Sequence, residues 1–303
     1  MAEALLEARD LTKNYGQVRA LDGASFTVYP GEVVALIGDN GAGKSTLVKT
    51  LSGAIRPDGG EIRISGQPVH LASPLDAREH GIETVYQDLA LAPDLDAAAN
   101  LHLGREIYYP VPFLHLLDRA RMRRQAVAAF AELGIDLPDP AAPVASLSGG
   151  QRQSVAVARA VAYASNVIFM DEPTAALGVV QRGKVLDTVR RVRDRGVAVV
   201  LISHNMPEVL SVSDRIEVLR LGRRVARFTA ADASVEDLVG AMTGAIVTSE
   251  DDHAGTGGTG SGGGTGNGAG NGSDGGTGNG AGTGSDGGTG NGAGTGDGKA
   301  ERP

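Results

Sequence analysis

The chain contains no cysteine, which excludes a disulfide framework and any thiolate-held metal and is compatible with a reducing compartment. It has no apolar run approaching the ~20 residues that cross a bilayer. The opening MAEALLEARDLTKNYG carries charges inside its apolar stretch and does not read as a secretory leader. A soluble or peripheral protein is expected. Histidines are scattered: His70, His80, His102, His115 and His253 show no metal-ligand spacing. Excess basic charge is missing too. The net charge is −8, but the acidic residues after 249, set against Lys299 and Arg302, account for about −5 of it. The body is therefore only about −3, with no strong field that argues for a nucleic-acid partner. Arg119, Arg121, Arg123 and Arg124 fall on a helix with apolar spacing behind them and read as a solvated face.

Beyond about Glu250 apolar residues nearly vanish, and more than half of the 45 glycines lie there. SDGGTGNGAGTG at 273–284 recurs unchanged at 285–296. Such a segment cannot bury enough apolar surface to offset the entropy of ordering it. Residues 249–303 are thus expected to form a disordered Gly/Thr/Asn-rich tail. Glycine does not fall at every third position, so collagen is excluded. Residues 1–248 are the expected folded domain, long enough for one substantial core and a smaller lobe.

Within that body, β-type runs at 5–11, 24–30 and 32–38 alternate with turn signals, and PDGG at 57–60 leads into a hairpin over 61–71. Positions 32–37 are nearly all apolar, as in a strand buried on both faces of a parallel sheet. A further strand is expected at 82–87. From Asp88 to Leu147 the spacing turns helical, with Asp118 placed as an N-cap and Gly134 as a stop. This stretch, about 88–150, reads as an inserted helical subdomain. Helices at 151–163, 181–194 and 234–242 then alternate with strands at 167–171, 197–202, 215–219 and 222–228. The β-α alternation predicts an α/β fold with a doubly wound parallel sheet.

GDNGAGKST, residues 38–46, fits the phosphate-loop pattern G-x-x-x-x-G-K-[ST] and sits where that pattern must, after a buried strand and opening a helix. Gly38, Asp39, Asn40, Gly41, Ala42, Gly43 and Thr46 supply backbone N–H groups around phosphate oxygens, and the helix N-terminus adds its partial positive charge. Lys44 is expected to reach the β- and γ-phosphates, and Ser45 to ligate Mg²⁺. VIFMDE, residues 167–172, puts two carboxylates at a strand end. Asp171 is placed to hold Mg²⁺ through water, and Glu172 to polarise an attacking water as general base. SLSGGQ, residues 146–151, is a second helix opening with free N–H groups, hence a second anion site. Two phosphate sites far apart in one chain suggest two chains sharing each nucleotide.

LSGGQ after a phosphate loop and before a D-E strand end resembles the signature of ATP-binding cassette (ABC) ATPases, over about residues 3–245. The resemblance implies a P-loop NTPase of ABC type with an antiparallel β subdomain and an inserted helical subdomain, binding ATP and Mg²⁺. It implies that Tyr15 in KNYG stacks on adenine, and that Gln87 in VYQD touches Mg²⁺ and links to the helical subdomain. Ser148, Gly149 and Gly150, with Gln151 beside them, would grip the γ-phosphate held by the opposite subunit. His204 in LISHNM would contact the γ-phosphate as the switch histidine.

One departure stands out. MDEPTAALGVVQ places Gly178 where the family usually carries an aspartate that contacts the partner's phosphate loop. Every residue with a direct chemical role is present, so an active ATPase with altered coupling between sites is expected. YQDLALAPDLDAAANLHLGRE and PTAALGVV further resemble the ATPases of bacterial monosaccharide importers of the ribose/xylose/fructose group. That implies a separate membrane permease as partner, a second copy of this chain in the ATP-bound state and only indirect contact with a sugar-binding protein. It also implies a peripheral location on the cytoplasmic face of the membrane. The segment YYPVPFLHLL, 108–117, either meets the permease or packs on its own lobe. The competing readings are a soluble non-transport ABC ATPase and a non-hydrolysing nucleotide-gated subunit. The first would require a long coiled-coil insert or a second cassette with a basic linker, and neither is seen.

Overall fold

The computed structural model describes residues 3–111, 115–137, 139–175 and 177–246. The expected tail over 249–303 lies outside them. Two sheets organise the described chain. The first is antiparallel, built from β1 (Leu6–Tyr15), β2 (Val18–Val28), β4 (Gly59–Ile64) and β5 (Gln67–Val69) in the order β2-β1-β4-β5.

The second sheet has six strands. β3 (Val33–Ile37), β6 (Ile82–Val85), β7 (Val167–Asp171) and β8 (Ala198–Ile202) run parallel, together with β9 (Arg215–Arg220). β10 (Arg223–Thr229) closes one edge antiparallel to β9, giving the order β10-β9-β3-β8-β7-β6. All five residues of β3 and of β8 are buried. Strands covered on both faces need continuous apolar sequence, which VVALI and AVVLI provide. Each Val, Leu and Ile among them gains roughly 1.5–3 kcal/mol on burial. Apolar contacts over the two faces separate into clusters. One packs β3, β7 and β8 residues against the antiparallel sheet through Phe26, Leu36 and Phe169, and another packs them against the helices through Val155, Ile168 and Val189.

The helices follow the expected alternation. α1 (Lys44–Leu51) opens directly out of the phosphate loop. α5 (Gly149–Tyr163), α6 (Val179–Asp194) and α8 (Val235–Thr243) fall within two residues of the sequence expectations. α2 (Pro74–Glu79) and α7 (Met206–Val212) were not anticipated. Between β6 and α5 the helical texture yields less helix than its spacing suggests. α3 (Ala97–Leu101) is five residues long and α4 (Arg119–Glu132) fourteen, with Asp118 accepting from the Arg121 backbone N–H at 2.8 Å as its N-cap. Much of the remaining described stretch is turn and loop, with one 3-10 turn at Val144–Ser146. Asn100, fully buried, spends its amide on the backbone of Ala92, Leu95 and Asp96.

In the 108–117 loop, Tyr109 and Leu116 pair through the backbone. Tyr108, Tyr109, Val111 and Leu116 are exposed, and residues 112–114 of this segment lie outside the described residues. Among the described residues no helix is long and apolar enough to cross a membrane.

Candidate active site

The parallel sheet brings three chemical segments to one edge. β7, β8 and β3 are neighbours, and each releases its functional side chains at its carboxyl end: Asp171 and Glu172 after β7, His204 after β8, and the phosphate loop after β3. The carboxyl edge of an open α/β sheet is where such folds place their ligands.

The phosphate loop is held by close backbone approach. Gly38 has φ +150°, and a Cβ there would lie 2.1 Å from the Leu219 carbonyl oxygen. Gly43 caps α1 in the left-handed region at φ +103°, and a Cβ would meet the Ala20 carbonyl at 2.5 Å. Neither position admits a side chain. The loop also leans on the β9–β10 turn, where the Gly222 N–H donates to the Ala42 carbonyl at 2.9 Å. The Lys44 ammonium donates to the carbonyls of Gly38 (2.6 Å) and Asp39 (3.0 Å). Partial burial depresses its pKa, against the opposing pull of Glu172, Asp171 and Asp39. Burial likewise raises the Asp171 pKa and the nearby Glu172 adds to the rise, while Lys44 and Lys49 oppose it. The two acids and the lysine therefore share one electrostatic neighbourhood.

Glu172 is in the left-handed region at φ +51°, where a non-glycine residue costs of order 1–2 kcal/mol. Its backbone is fixed from both sides, donating to Ile202 O at 2.9 Å and accepting from Ala175 N at 3.1 Å. The twist presents its carboxylate to His204, whose Nδ1 lies 2.8 Å from Oε1 and 2.7 Å from Oε2.

Gln87 follows β6 in an exposed turn. It lines a cleft of about 430 Å³ together with Glu172, Gly149, Arg152 and Gln153. Ser148 caps α5, accepting from Gln151 N at 3.3 Å, while the Gln151 side-chain oxygen accepts from Ser148 N at 2.9 Å. Gln151 is thus occupied in a capping box. Ser148, Gly150 and Gln151 open onto a separate pocket shared with Gln181, Lys184 and Thr188 of α6, which no phosphate-loop residue lines. Tyr15 ends β1 with its ring exposed and the Lys13 ammonium 6.0 Å from the ring centroid. Gly178 is the N-cap of α6 at an ordinary φ of −69°.

Sequence reading missed several residues that organise this site. Arg159 of α5 donates to the carbonyls of Leu89 (2.8 Å) and Ala90 (2.6 Å), both left-handed, in the turn that follows Gln87. Thr174, Arg182 and Glu208 form a second network behind Glu172 and His204. Helix α7, which carries Glu208, does have a sequence signal. Asn205 as N-cap, a proline in the first turn and an acid three residues after the cap form a helix start.

A phosphate loop, a D-E strand end and a histidine just past the adjacent strand define a P-loop NTPase. The family model for "ABC transporter" matches residues 21–175. The fructose import ATP-binding protein of Rhizobium meliloti is 54% identical over 247 residues, covering 80% of this chain and 95% of that one. The xylose/arabinose import ATP-binding protein of Sulfolobus acidocaldarius is 46% identical over 239 residues, covering 79% and 94%. A nucleotide-free ATP-binding cassette from an ABC transporter superposes with a TM-score of 0.66 at 24% identity, over 79% of this chain and 95% of that one. The chain belongs to the ABC transporter family.

Proposed function

We infer that the chain is the ATP-hydrolysing subunit of an ABC importer, coupling ATP binding and hydrolysis to monosaccharide uptake through a separate permease. The observation that carries the ATPase part is the convergence of Lys44, Asp171, Glu172 and His204 at the carboxyl ends of three adjacent parallel strands. The sugar part rests on relatives named for fructose and xylose/arabinose import that match nearly their whole length.

In this reading Gly38–Thr46 cradle the ATP phosphates, Lys44 neutralises their charge and Tyr15 stacks on the base. Mg²⁺ fits the donors at hand, because the Ser45 hydroxyl, the Gln87 amide and the Asp171 carboxylate are the hard oxygen set it takes. Once bound, Mg²⁺ supplies charge neutralisation on the phosphates. Glu172 accepts the proton of the attacking water, and His204 orients Glu172 and meets the γ-phosphate. Ser148, Gly149 and Gly150 bind the nucleotide of a second copy, which accords with their opening onto a pocket without phosphate-loop residues. Two copies closing on two nucleotides would draw the helical subdomains together and move the permease, leaving the chain peripheral on the cytoplasmic face. Residues 1–248 carry all of this, and the remainder of the chain is outside it.

ATP turnover of the purified chain beside Glu172→Gln, with both run by size exclusion in ATP–Mg²⁺, tests the reading. Turnover in the parent, lost in a variant that collects as an ATP-held dimer, is the expected result. No turnover in the parent, even with its permease, would leave a non-hydrolysing subunit, the outcome that Gly178 alone favours. Cells carrying Lys44→Ala should lose uptake of one labelled pentose or hexose, and unimpaired uptake across the panel would remove the sugar assignment.

A further inference from the structure

We propose that Thr174, Arg182 and Glu208 form a clamp that holds Glu172 and His204 in mutual register and ties both to the turn before Gly178. They are positioning residues for hydrolysis, and the proposal rests on the ATPase reading above. The Glu208 side chain is only 12% exposed, and its two carboxylate oxygens serve different segments. Oε2 accepts from the Thr174 hydroxyl at 2.6 Å, two residues beyond Glu172. Oε1 accepts from the Asn205 amide at 2.9 Å, next to His204, with Arg182 Nη1 3.5 Å away. Arg182 in turn donates from Nε to the Leu177 carbonyl at 2.8 Å. One carboxylate therefore bridges the two segments that carry the paired side chains, and the guanidinium extends the bridge to the start of α6.

Helix capping accounts for only part of this arrangement. The Glu208 N–H donates to the Asn205 side chain at 3.3 Å, as a residue three after an N-cap should. That role needs neither the Thr174 hydroxyl nor Arg182, which lie 34 and 26 residues away in sequence. What needs them is Glu172. It occupies a left-handed conformation, and strained residues persist only where their surroundings over-determine them. Carboxylates satisfied by several donors are also stiffer than singly bonded ones, since each broken bond leaves a buried acceptor without a partner.

The test compares Thr174→Val, which removes the hydroxyl at nearly constant volume, with Thr174→Ser, which restores it, and with Glu208→Gln. The readouts are kcat and KM for ATP well below the melting temperature, and the His204 ring resonances of the nucleotide-free chain by NMR. Thr174→Val should lower kcat by about tenfold or more with KM changed far less, because a small misplacement of reacting groups costs rate rather than affinity. Thr174→Ser should recover most of that loss. The His204 resonances should move in Thr174→Val and Glu208→Gln, while those of the distant His102 stay in place. Parent-like kcat together with unmoved His204 resonances in Thr174→Val would overturn the clamp. So would a loss that Thr174→Ser fails to restore. If the parent itself does not hydrolyse ATP, the ATPase reading falls, and the His204 resonances still decide whether the clamp exists.

Discussion

His204 and Glu172 are bonded directly, with the imidazole Nδ1 2.8 Å and 2.7 Å from the two oxygens of the carboxylate. A carboxylate accepts hydrogen bonds, so the contact is made with Nδ1–H as donor to Glu172. A base whose partner fixes its orientation behaves as a unit with it. Glu172→Gln and His204→Ala should each lower kcat by roughly 10²–10⁴-fold, the span typical of general acid–base groups. The double variant should be little worse than either single one, because residues acting as a unit are non-additive. Steady-state kinetics on the three variants would check this, and fully multiplicative losses would separate the two roles.

Lys44 should act on binding. Its ammonium sits on the Gly38 and Asp39 carbonyls, in place to swing to phosphate oxygens. A hydrogen bond to a charged group contributes about 1.5–3 kcal/mol, so Lys44→Ala should weaken ATP binding by roughly 10–100-fold. Titration calorimetry with ATP measures this, and unchanged affinity would displace Lys44 from the phosphate site.

Gly38→Ala should be severely destabilising. The added Cβ would be driven to 2.1 Å from a main-chain carbonyl that β9 holds in place. Backbone clashes of this kind belong to the small class of substitutions that cost more than about 4 kcal/mol. Loss of soluble folded protein or a melting temperature lowered by many degrees is the expected outcome. The neighbouring Gly41, also at positive φ (+82°) but with nothing within 4 Å of its added Cβ, shows what backbone strain costs without the clash.

Gly178→Asp should fold normally. The position has an ordinary φ, and among the described residues an added Cβ would meet the end of the flexible Gln181 side chain. It is also the N-cap of α6, where aspartate outranks glycine by a few tenths of a kcal/mol. The melting temperature should hold or rise slightly, so that any change in turnover or in ATP-dependent pairing reports on function. A clear drop in melting temperature would refute this.

Stability should depend on pH through His102. It is 2% exposed, with Nδ1 against the Tyr163 hydroxyl at 2.6 Å and Nε2 against the Met122 carbonyl at 3.1 Å. Burial depresses its pKa. The native state therefore binds fewer protons than the unfolded chain at mildly acidic pH, and stability rises with pH there. The contribution is complete above the unfolded value of about 6.5 and fades as pH falls below it. Denaturation midpoints between pH 5 and 8 should show this slope, and His102→Gln should flatten it while lowering stability overall.

Contiguous motifs were legible in the sequence because their chemistry is local. GDNGAGKST, VIFMDE and LSGGQ each place their residues within a few positions, and the strands beneath them announce themselves by unbroken apolar runs. The two unanticipated helices are short, but both carried readable starts. Ser73 before Pro74 with Asp76, and Asn205 before Met206–Pro207 with Glu208, are N-cap patterns that apolar periodicity over six or seven residues cannot register. The helical texture at 94–104 misled in the opposite direction: α3 ends at Leu101, and Asn100 within it spends its side chain on the turn before the helix, at Ala92 and Leu95. Least visible were contacts that exist only after folding. Nothing in the sequence links Arg159 to Leu89, 70 residues earlier, or Thr174 to Glu208, 34 residues later.

The left-handed backbone at Glu172 sets two selective demands against each other. Glycine is the residue that this conformation suits best, and at φ +51° it would relieve a strain of order 1–2 kcal/mol. The substitution that most relaxes the chain at this point is therefore one that removes the carboxylate facing His204. A screen for thermal tolerance alone would drift toward glycine there and recover a sturdier protein with no general base, whereas a screen for turnover would retain the strained acid at a lower melting temperature.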